Sequence, residues 1–229
     1  MKLISMRICP YVQQVRLLLE AKKAKYEVEH IDASNRPHSL MQASPDGGEV
    51  PVIVTDEGEI LFQSDAIVEY IDEVIGSPLF KGSALERAKD KAWARLASDN
   101  YLTQCSTQRS PDEETLNERM EDLTSIFKAT EEQLEEGSYF HGSELSMVDL
   151  SWLPLLHRSD LIANQSGYDF LADYPKLKIW REALMRTGLH KVSVPNEFDE
   201  IFNGFYLSNE TFLGQKKAAL ATSNAKTRE

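Results

Sequence analysis

Hydrophobic and polar positions in the first third of the chain follow two different periods. Four short segments carry the apolar runs or the period-two alternation that predict β-strands, at residues 3–6, 26–31, 50–54 and 60–62. Apolar residues recur every three to four positions at residues 10–22 and 65–75, which predicts two helices, the second with Ser64 as its N-cap. Between them, Asn35-Arg36-Pro37 opens a short predicted helical stretch that ends at residue 41. The predicted order is therefore βαβαββα.

The rest of the chain has a helical pattern throughout. Five helices are predicted, at residues 84–105, 111–136, 147–164, 175–187 and 196–208. We therefore expect a first domain at residues 1–76, a linker at 77–83 and an all-helical second domain at 84–229. Its polar end, from about residue 214, is expected to fray.

Composition limits the classes of partner. The 229 residues carry a net charge of −12, which argues against binding to nucleic acids or to anionic membranes. Two cysteines are too few for a disulfide framework, and no apolar run is long enough to span a membrane, so a cytoplasmic protein is expected. The histidines and cysteines lack metal-ligand spacing, so no metal is predicted.

One cysteine is placed for chemistry. Cys9 and Pro10 stand immediately before the first predicted helix, and Pro10 suits the first helical turn because its missing N–H is not needed there. A thiol at this position faces free backbone N–H groups and the positive end of the helix dipole. Both effects favour the thiolate, which is the nucleophilic form.

The βαβαββα order, with Cys9-Pro10-Tyr11 opening the first helix, resembles the thioredoxin-like layout. Followed by an all-helical half, it resembles the cytosolic glutathione S-transferases, and the cysteine-type, omega-like bacterial members in particular. The resemblance implies an α/β N-terminal thioredoxin-like domain with a mixed four-stranded sheet, an all-α C-terminal domain and a homodimer.

The resemblance also implies a glutathione site. The Val50-Pro51 bond would be cis and would expose the Val50 backbone to the cysteinyl part of glutathione. Gln63 and Ser64, at the start of a helix that Ser64 can cap, would hold the γ-glutamyl end, because a helix N-terminus attracts anions. Arg36 would meet the glycyl carboxylate.

Two further sets of residues come from the second domain. Ser146 and Asp149 form a Ser-x-x-Asp capping box at the start of a helix, a structural motif of the family. A second-substrate pocket is expected beside the Cys9 loop, with Tyr101, Gln104 and Trp152 as candidate lining residues.

The implied activity is a glutathione-dependent thiol transfer or reduction. Cys9 would form a mixed disulfide with glutathione, and a second glutathione would release it, because Val12 occupies the position at which glutaredoxins carry a second cysteine. Candidate second substrates are small electrophiles or disulfides, including glutathionyl adducts and dehydroascorbate. Two alternatives stay open: conjugation with Tyr11 activating the glutathione thiol, and a non-enzymatic regulatory or scaffold protein.

Overall fold

The computed structural model describes residues 1–32, 36 and 47–226. Within these ranges four strands form one mixed sheet in the order β2-β1-β3-β4. The strands are β1 (Lys2–Ser5), β2 (Glu27–His30), β3 (Val52–Val54) and β4 (Ile60–Phe62). The first pair is parallel, whereas β1–β3 and β3–β4 are antiparallel. All four predicted strands are confirmed, and the sheet is the mixed one implied by the resemblance.

Two helices pack with this sheet: α1 (Pro10–Ala21) and α2 (Ser64–Val74). They contact each other, and their apolar faces join Leu3, Val52 and Ile53 in a core that excludes water. The helical stretch predicted at 35–41 lies outside the described residues, apart from Arg36.

The second half of the chain is helical, as predicted. Its helices are α3 (Ala84–Asp99), α4 (Tyr101–Gln108), α5 (Glu113–Gln133), α6 (Met147–Ser166), α7 (Pro175–Arg186), α8 (Leu189–Val192), α9 (Phe198–Tyr206) and α10 (Phe212–Lys226). The single helix predicted at 84–105 is in fact two, because Asn100 has non-helical dihedral angles and its amide side chain donates to the Leu96 carbonyl at 2.8 Å. None of the described helices is long and apolar enough to span a membrane.

The expectation of a frayed end from about residue 214 is wrong for the described residues, since α10 continues to Lys226. Leu213 is fully buried at the start of this helix. The Lys217 ammonium donates to the side-chain oxygens of Gln165 at 3.0 Å and Asn203 at 2.6 Å. These contacts hold a helix whose polar composition gives little sign of its packing.

The centre of the second half is α6, which packs against α1 and α3. Its predicted capping box is confirmed: Asp149 accepts hydrogen bonds from the backbone N–H and the hydroxyl of Ser146, at 2.8 and 2.6 Å. The same fully buried carboxylate accepts from the Phe140 N–H at 2.8 Å and the Trp180 indole at 2.7 Å. Asp149 thus fixes the start of α6 to the preceding segment and to α7.

A buried ion pair joins α1, α2 and the segment that follows them. The Lys22 ammonium lies 2.9 Å from the Asp72 carboxylate, and both side chains are almost completely buried. Lys22 also donates to the carbonyls of Ile75 and Ser77, while Asp72 accepts from two backbone N–H groups further along, those of Leu79 and Phe80. The path towards α3 is therefore held by several hydrogen bonds to one ion pair.

Candidate active site

Cys9 is the residue that precedes α1, with Pro10 as the first helical residue, as the sequence predicts. Its carbonyl accepts the hydrogen bond of the Gln13 N–H at 3.1 Å, and its thiol donates to the Val50 carbonyl at 3.8 Å. The thiol therefore lies between the helix start and the backbone just before β3.

The protonation of Cys9 differs from the expectation. Burial raises the pKa of the Cys9 thiol to about 11, although the backbone N–H groups of Val12 and Tyr11 and the charge of Arg158 act to lower it. The backbone donors of the helix N-terminus thus lower the pKa as predicted, but desolvation of the thiolate raises it by more. The net direction of the shift in the Cys9 pKa is therefore opposite to the expectation of a favoured thiolate.

A buried cation lies beneath the Cys9 loop. Arg158 of α6 is 1% exposed, and its guanidinium donates to the Ile8 carbonyl at 3.0 Å and to the side-chain oxygen of Gln13. The guanidinium also lies 5.5 Å from the ring centre of Phe198. Within the described part of the chain, no carboxylate oxygen lies within 4 Å of the Arg158 guanidinium. Arg158 therefore ties the second domain to the residue before Cys9 and places a positive charge there.

His157, the neighbour of Arg158, has the structural role expected of a core histidine. Its Nδ1 lies 3.0 Å from the Gln13 amide nitrogen, and its ring stacks on Phe198. Burial, together with the nearby charge of Arg158, holds the pKa of His157 well below its usual value. The ring is therefore neutral at physiological pH.

A groove of about 190 Å³ brings together most of the predicted glutathione contacts. Tyr11, Val50, Pro51, Gln63 and Ser64 all line it, and the Val50–Pro51 peptide bond is cis as expected. Ser64 is the first residue of α2 rather than its cap, because the preceding Gln63 has a left-handed φ of 67° and takes the capping position. The helix N-terminus still opens on this groove.

Arg36 can be compared with its expected role only in part. Its guanidinium donates to the Gly47 carbonyl at 3.3 Å. The residues between these two positions lie outside the described ranges, so its predicted contact with a glycyl carboxylate remains a prediction.

Three residues of α3 line the groove and were missed in the sequence: Arg95, Ser98 and Asp99. Arg95 lies between two carboxylates, bonding Asp65 at the start of α2 and Asp99 at 2.7 Å. No local motif marks these residues, because α3 reaches the groove only through tertiary packing.

A second cavity of about 590 Å³ lies on the other side of Leu102, which lines both spaces. Its walls come from the Cys9 loop, α4, α5 and α9. They are formed by Met6, Ile8, Cys9, Pro10, Leu102, Cys105, Ser106, Arg109, Arg119, Phe205 and Tyr206. Cys105, expected in the core or at a partly buried surface, is half-buried here and accepts a hydrogen bond from the Tyr206 hydroxyl at 3.1 Å.

The prediction that Tyr101, Gln104 and Trp152 line this pocket is wrong. All three are fully buried, and each side chain donates to a backbone carbonyl of the interior. The break at Asn100 changes the helical phase, so that residues 102, 105 and 106 face the cavity instead.

Tyr11 lines the groove that contains Val50 and Ser64. Its ring packs edge-on against Tyr101 with centroids 5.1 Å apart. Burial, and then the neighbouring Cys9, raise the pKa of Tyr11, which keeps its hydroxyl protonated and able to donate a hydrogen bond.

Comparison with known proteins agrees with this geometry. Residues 8–74 match the family described as "Glutathione S-transferase, N-terminal domain", and residues 90–187 match "Glutathione S-transferase, C-terminal domain". The chain is 30% identical over 212 residues to glutathione S-transferase omega-1 of Sus scrofa, covering 91% of this chain and 86% of the relative. The chain belongs to the glutathione S-transferase family.

Solved structures of other glutathione transferases share the fold. Glutathione transferase Omega 3C from Trametes versicolor superimposes with a TM-score of 0.75 at 20% identity, over 89% of each chain. Rice GST1, solved in complex with glutathione, gives a TM-score of 0.76 at 19% identity, over 95% of this chain and 97% of that one.

Glutathione is the co-substrate of this family of transferases, and the groove beside Val50 and Ser64 has the polar walls that such a ligand needs. Among the described residues, no group of three His, Cys, Asp or Glu side chains could hold a metal ion.

Proposed function

We propose that this transferase is a glutathione-dependent thiol transferase or reductase in which Cys9 is the nucleophile. The supporting observation is the position of the Cys9 sulfur, 3.8 Å from the Val50 carbonyl and on the wall of the large cavity. A glutathione paired with the Val50 backbone would bring its own sulfur close to Cys9, and the cavity would receive the group attached to that sulfur.

The proposed reaction starts from a mixed disulfide of glutathione with a small thiol. The Cys9 thiolate attacks the glutathione sulfur, the S–S bond breaks, and the small thiol leaves as a thiolate that takes up a proton. The thiolate of a second glutathione then attacks the Cys9 mixed disulfide. Oxidised glutathione is released and the Cys9 thiolate is restored.

The direct test is glutathione-dependent reduction of hydroxyethyl disulfide, followed through oxidised glutathione with glutathione reductase and NADPH. We expect Cys9→Ala to abolish the activity. In wild-type enzyme treated with the mixed disulfide but no free glutathione, mass spectrometry with peptide mapping should find one glutathione on Cys9. Cys105→Ser removes the other thiol and is the matched comparison. If Cys105→Ser lost the activity and Cys9→Ala kept it, the reacting thiol would be Cys105 and the proposal would be refuted.

Conjugation through Tyr11 is a second candidate, favoured by one observation. Tyr11 lines the glutathione groove itself, whereas Cys9 lines the neighbouring cavity. A protonated Tyr11 hydroxyl can stabilise a glutathione thiolate by donating a hydrogen bond. Under this mechanism Tyr11→Phe lowers the rate of conjugation to 1-chloro-2,4-dinitrobenzene and Cys9→Ala does not.

The organisation of the protein is also part of the proposal. We assign glutathione binding to residues 1–76, the linker to 77–83 and the helical domain to 84–229, with a homodimer as the assembly and the cytoplasm as the location. The hydrogen bonds that Lys22 and Asp72 form with the backbone of residues 75–80 support the position of the linker. Size-exclusion chromatography with light scattering tests the dimer.

A further inference from the structure

The cavity beside Cys9 is positively charged in a strongly acidic protein. The chain has 37 acidic and 25 basic residues, yet two of the cavity-lining residues are arginines, Arg109 and Arg119, and none of them is acidic in the described part of the chain. The buried guanidinium of Arg158 lies beneath the same loop. The cavity wall thus carries two positive charges, and a third lies buried beneath the neighbouring loop without lining the cavity.

Both lining arginines are held by contacts with partners other than carboxylates. The Arg109 guanidinium lies over the Phe205 ring at 4.5 Å from its centre, and Arg119 donates to the Ser106 carbonyl at 2.8 Å. Within the described ranges neither arginine has a carboxylate within 4 Å. The Asp112 carboxylate caps α5 by accepting from the Thr115 N–H at 2.8 Å, and this bond, followed by the charge of Arg119, lowers the pKa of Asp112.

The remaining walls are mostly apolar. Met6, Ile8, Pro10, Leu102 and Phe205 supply hydrophobic surface between the Cys9 sulfur and the arginines. Such a wall suits a flat or branched apolar group, and a guanidinium at its edge suits a carboxylate, which it can bind through two parallel hydrogen bonds.

We propose that this cavity selects second substrates with an apolar, typically aromatic body and a carboxylate, and that Arg109 and Arg119 determine this specificity. The inference rests on the proposed function, because it takes Cys9 as the reacting thiol. The carboxylate would lie at the two arginines and the reacting atom at Cys9, so the charge would orient the substrate without taking part in the reaction.

The test uses a matched pair of reagents that differ in charge alone: 4-(iodoacetamido)benzoate and 4-(iodoacetamido)benzamide. Each alkylates the Cys9 thiolate through a new C–S bond with loss of iodide, and peptide mapping counts only the adduct on Cys9. We expect the carboxylate reagent to react roughly two- to fivefold faster, the range that exposed ion pairs provide. Added sodium chloride should reduce the ratio towards one.

Variants assign the effect to the arginines. In the double variant Arg109→Met and Arg119→Met, the ratio of the two rates falls to about one. The ratio carries the test, because a change in the ionisation of Cys9 or in access to its sulfur affects both reagents alike. Arg87→Met at the exposed start of α3 makes a similar charge change away from the cavity and keeps the wild-type ratio. Equal rates for the two reagents in the wild type, or a ratio that survives the double variant, would overturn the inference.

Alkylation involves no glutathione, so the two proposals fail separately. A wild-type protein with the charge preference but without Cys9-dependent disulfide reduction refutes the proposed function and leaves the cavity assignment. A protein that reduces disulfides through Cys9 but shows no charge preference refutes this inference alone.

Discussion

The pH dependence of Cys9 reactivity tests the balance between burial and the helix N-terminus. Burial raises the pKa of Cys9 to about 11 in the ligand-free protein. The perturbation is a change of pH from 7.5 to 10, with free cysteine as the reference thiol. Because the thiolate is the reacting species, the rate of alkylation should follow the thiolate fraction over this whole range.

The magnitude follows from two opposing factors. At pH 7.5 a thiol with a pKa of about 11 is roughly 300-fold less ionised than free cysteine with a pKa of about 8.5. Its thiolate is intrinsically more nucleophilic by roughly 10-fold, from a Brønsted slope of about 0.4–0.5. Cys9 should therefore react about 20- to 30-fold more slowly than free cysteine at pH 7.5 and at a similar rate at pH 10.

The assay measures alkylation by iodoacetamide under pseudo-first-order conditions, with the Cys9 adduct quantified by peptide mass spectrometry. The logarithm of the rate should rise with a slope near one per pH unit up to pH 10. The change of the Cys9 to free-cysteine rate ratio between pH 7.5 and pH 10 carries the test, because limited access to the sulfur lowers this ratio by the same factor at every pH.

The reasoning would be refuted by a plateau of the Cys9 rate below pH 9, which would mean that the backbone donors outweigh burial. Arg158 supplies an internal check, since its charge lowers the pKa of Cys9. Arg158→Met should move the rate curve further towards high pH, and Arg158→Lys, which keeps the charge, should move it less. A purely structural role for Arg158 would give the Met and Lys variants the same rate curve.

Three further predictions concern stability and binding. Asp149→Ala leaves four buried donors without an acceptor and should lower the free energy of unfolding by roughly 3–5 kcal/mol in urea titrations. The cap variant Ser146→Ala should lower it by about 1 kcal/mol. Equal effects of the two variants would contradict the role of Asp149 as acceptor of four hydrogen bonds. Asp72→Ala strands the buried Lys22 and should cost about 3–5 kcal/mol by the same measurement, whereas a loss below 1 kcal/mol would mean that the pair is dispensable. Ser64→Ala should weaken glutathione binding, measured by calorimetry, by roughly 5- to 10-fold with little change in thermal midpoint; unchanged affinity would place the γ-glutamyl end elsewhere.

Much of the fold was predictable because it depends on local patterns. The strand periods, the Pro10 helix start and the Ser146–Asp149 capping box are short-range features, and the structure has each where the sequence places it. The groove residues Val50, Pro51 and Ser64 could be predicted for a related reason, because they lie at the ends of strands and helices that the same patterns define.

What the sequence did not reveal depends on tertiary packing. A single non-helical residue, Asn100, rotates the following helix enough to bury Tyr101 and Gln104 and to expose Leu102 to the cavity. The pKa of Cys9 likewise depends on how much protein covers the sulfur, which no spacing of residues records. The contribution of α3 to the groove arises from contacts between segments far apart in the chain.

The hydrogen bond from Arg158 to the Ile8 carbonyl has a consequence for the order in which the enzyme becomes active during synthesis. Residues 8 and 158 are separated by 150 positions, a distance that a ribosome covers in roughly 8–30 s. Until α6 has been translated and packed, the backbone before Cys9 lacks this donor and the sulfur lacks the positive charge beneath it. The surroundings of Cys9 are thus completed by the second half of the chain, and a nascent chain that carries only the first domain holds the cysteine without them.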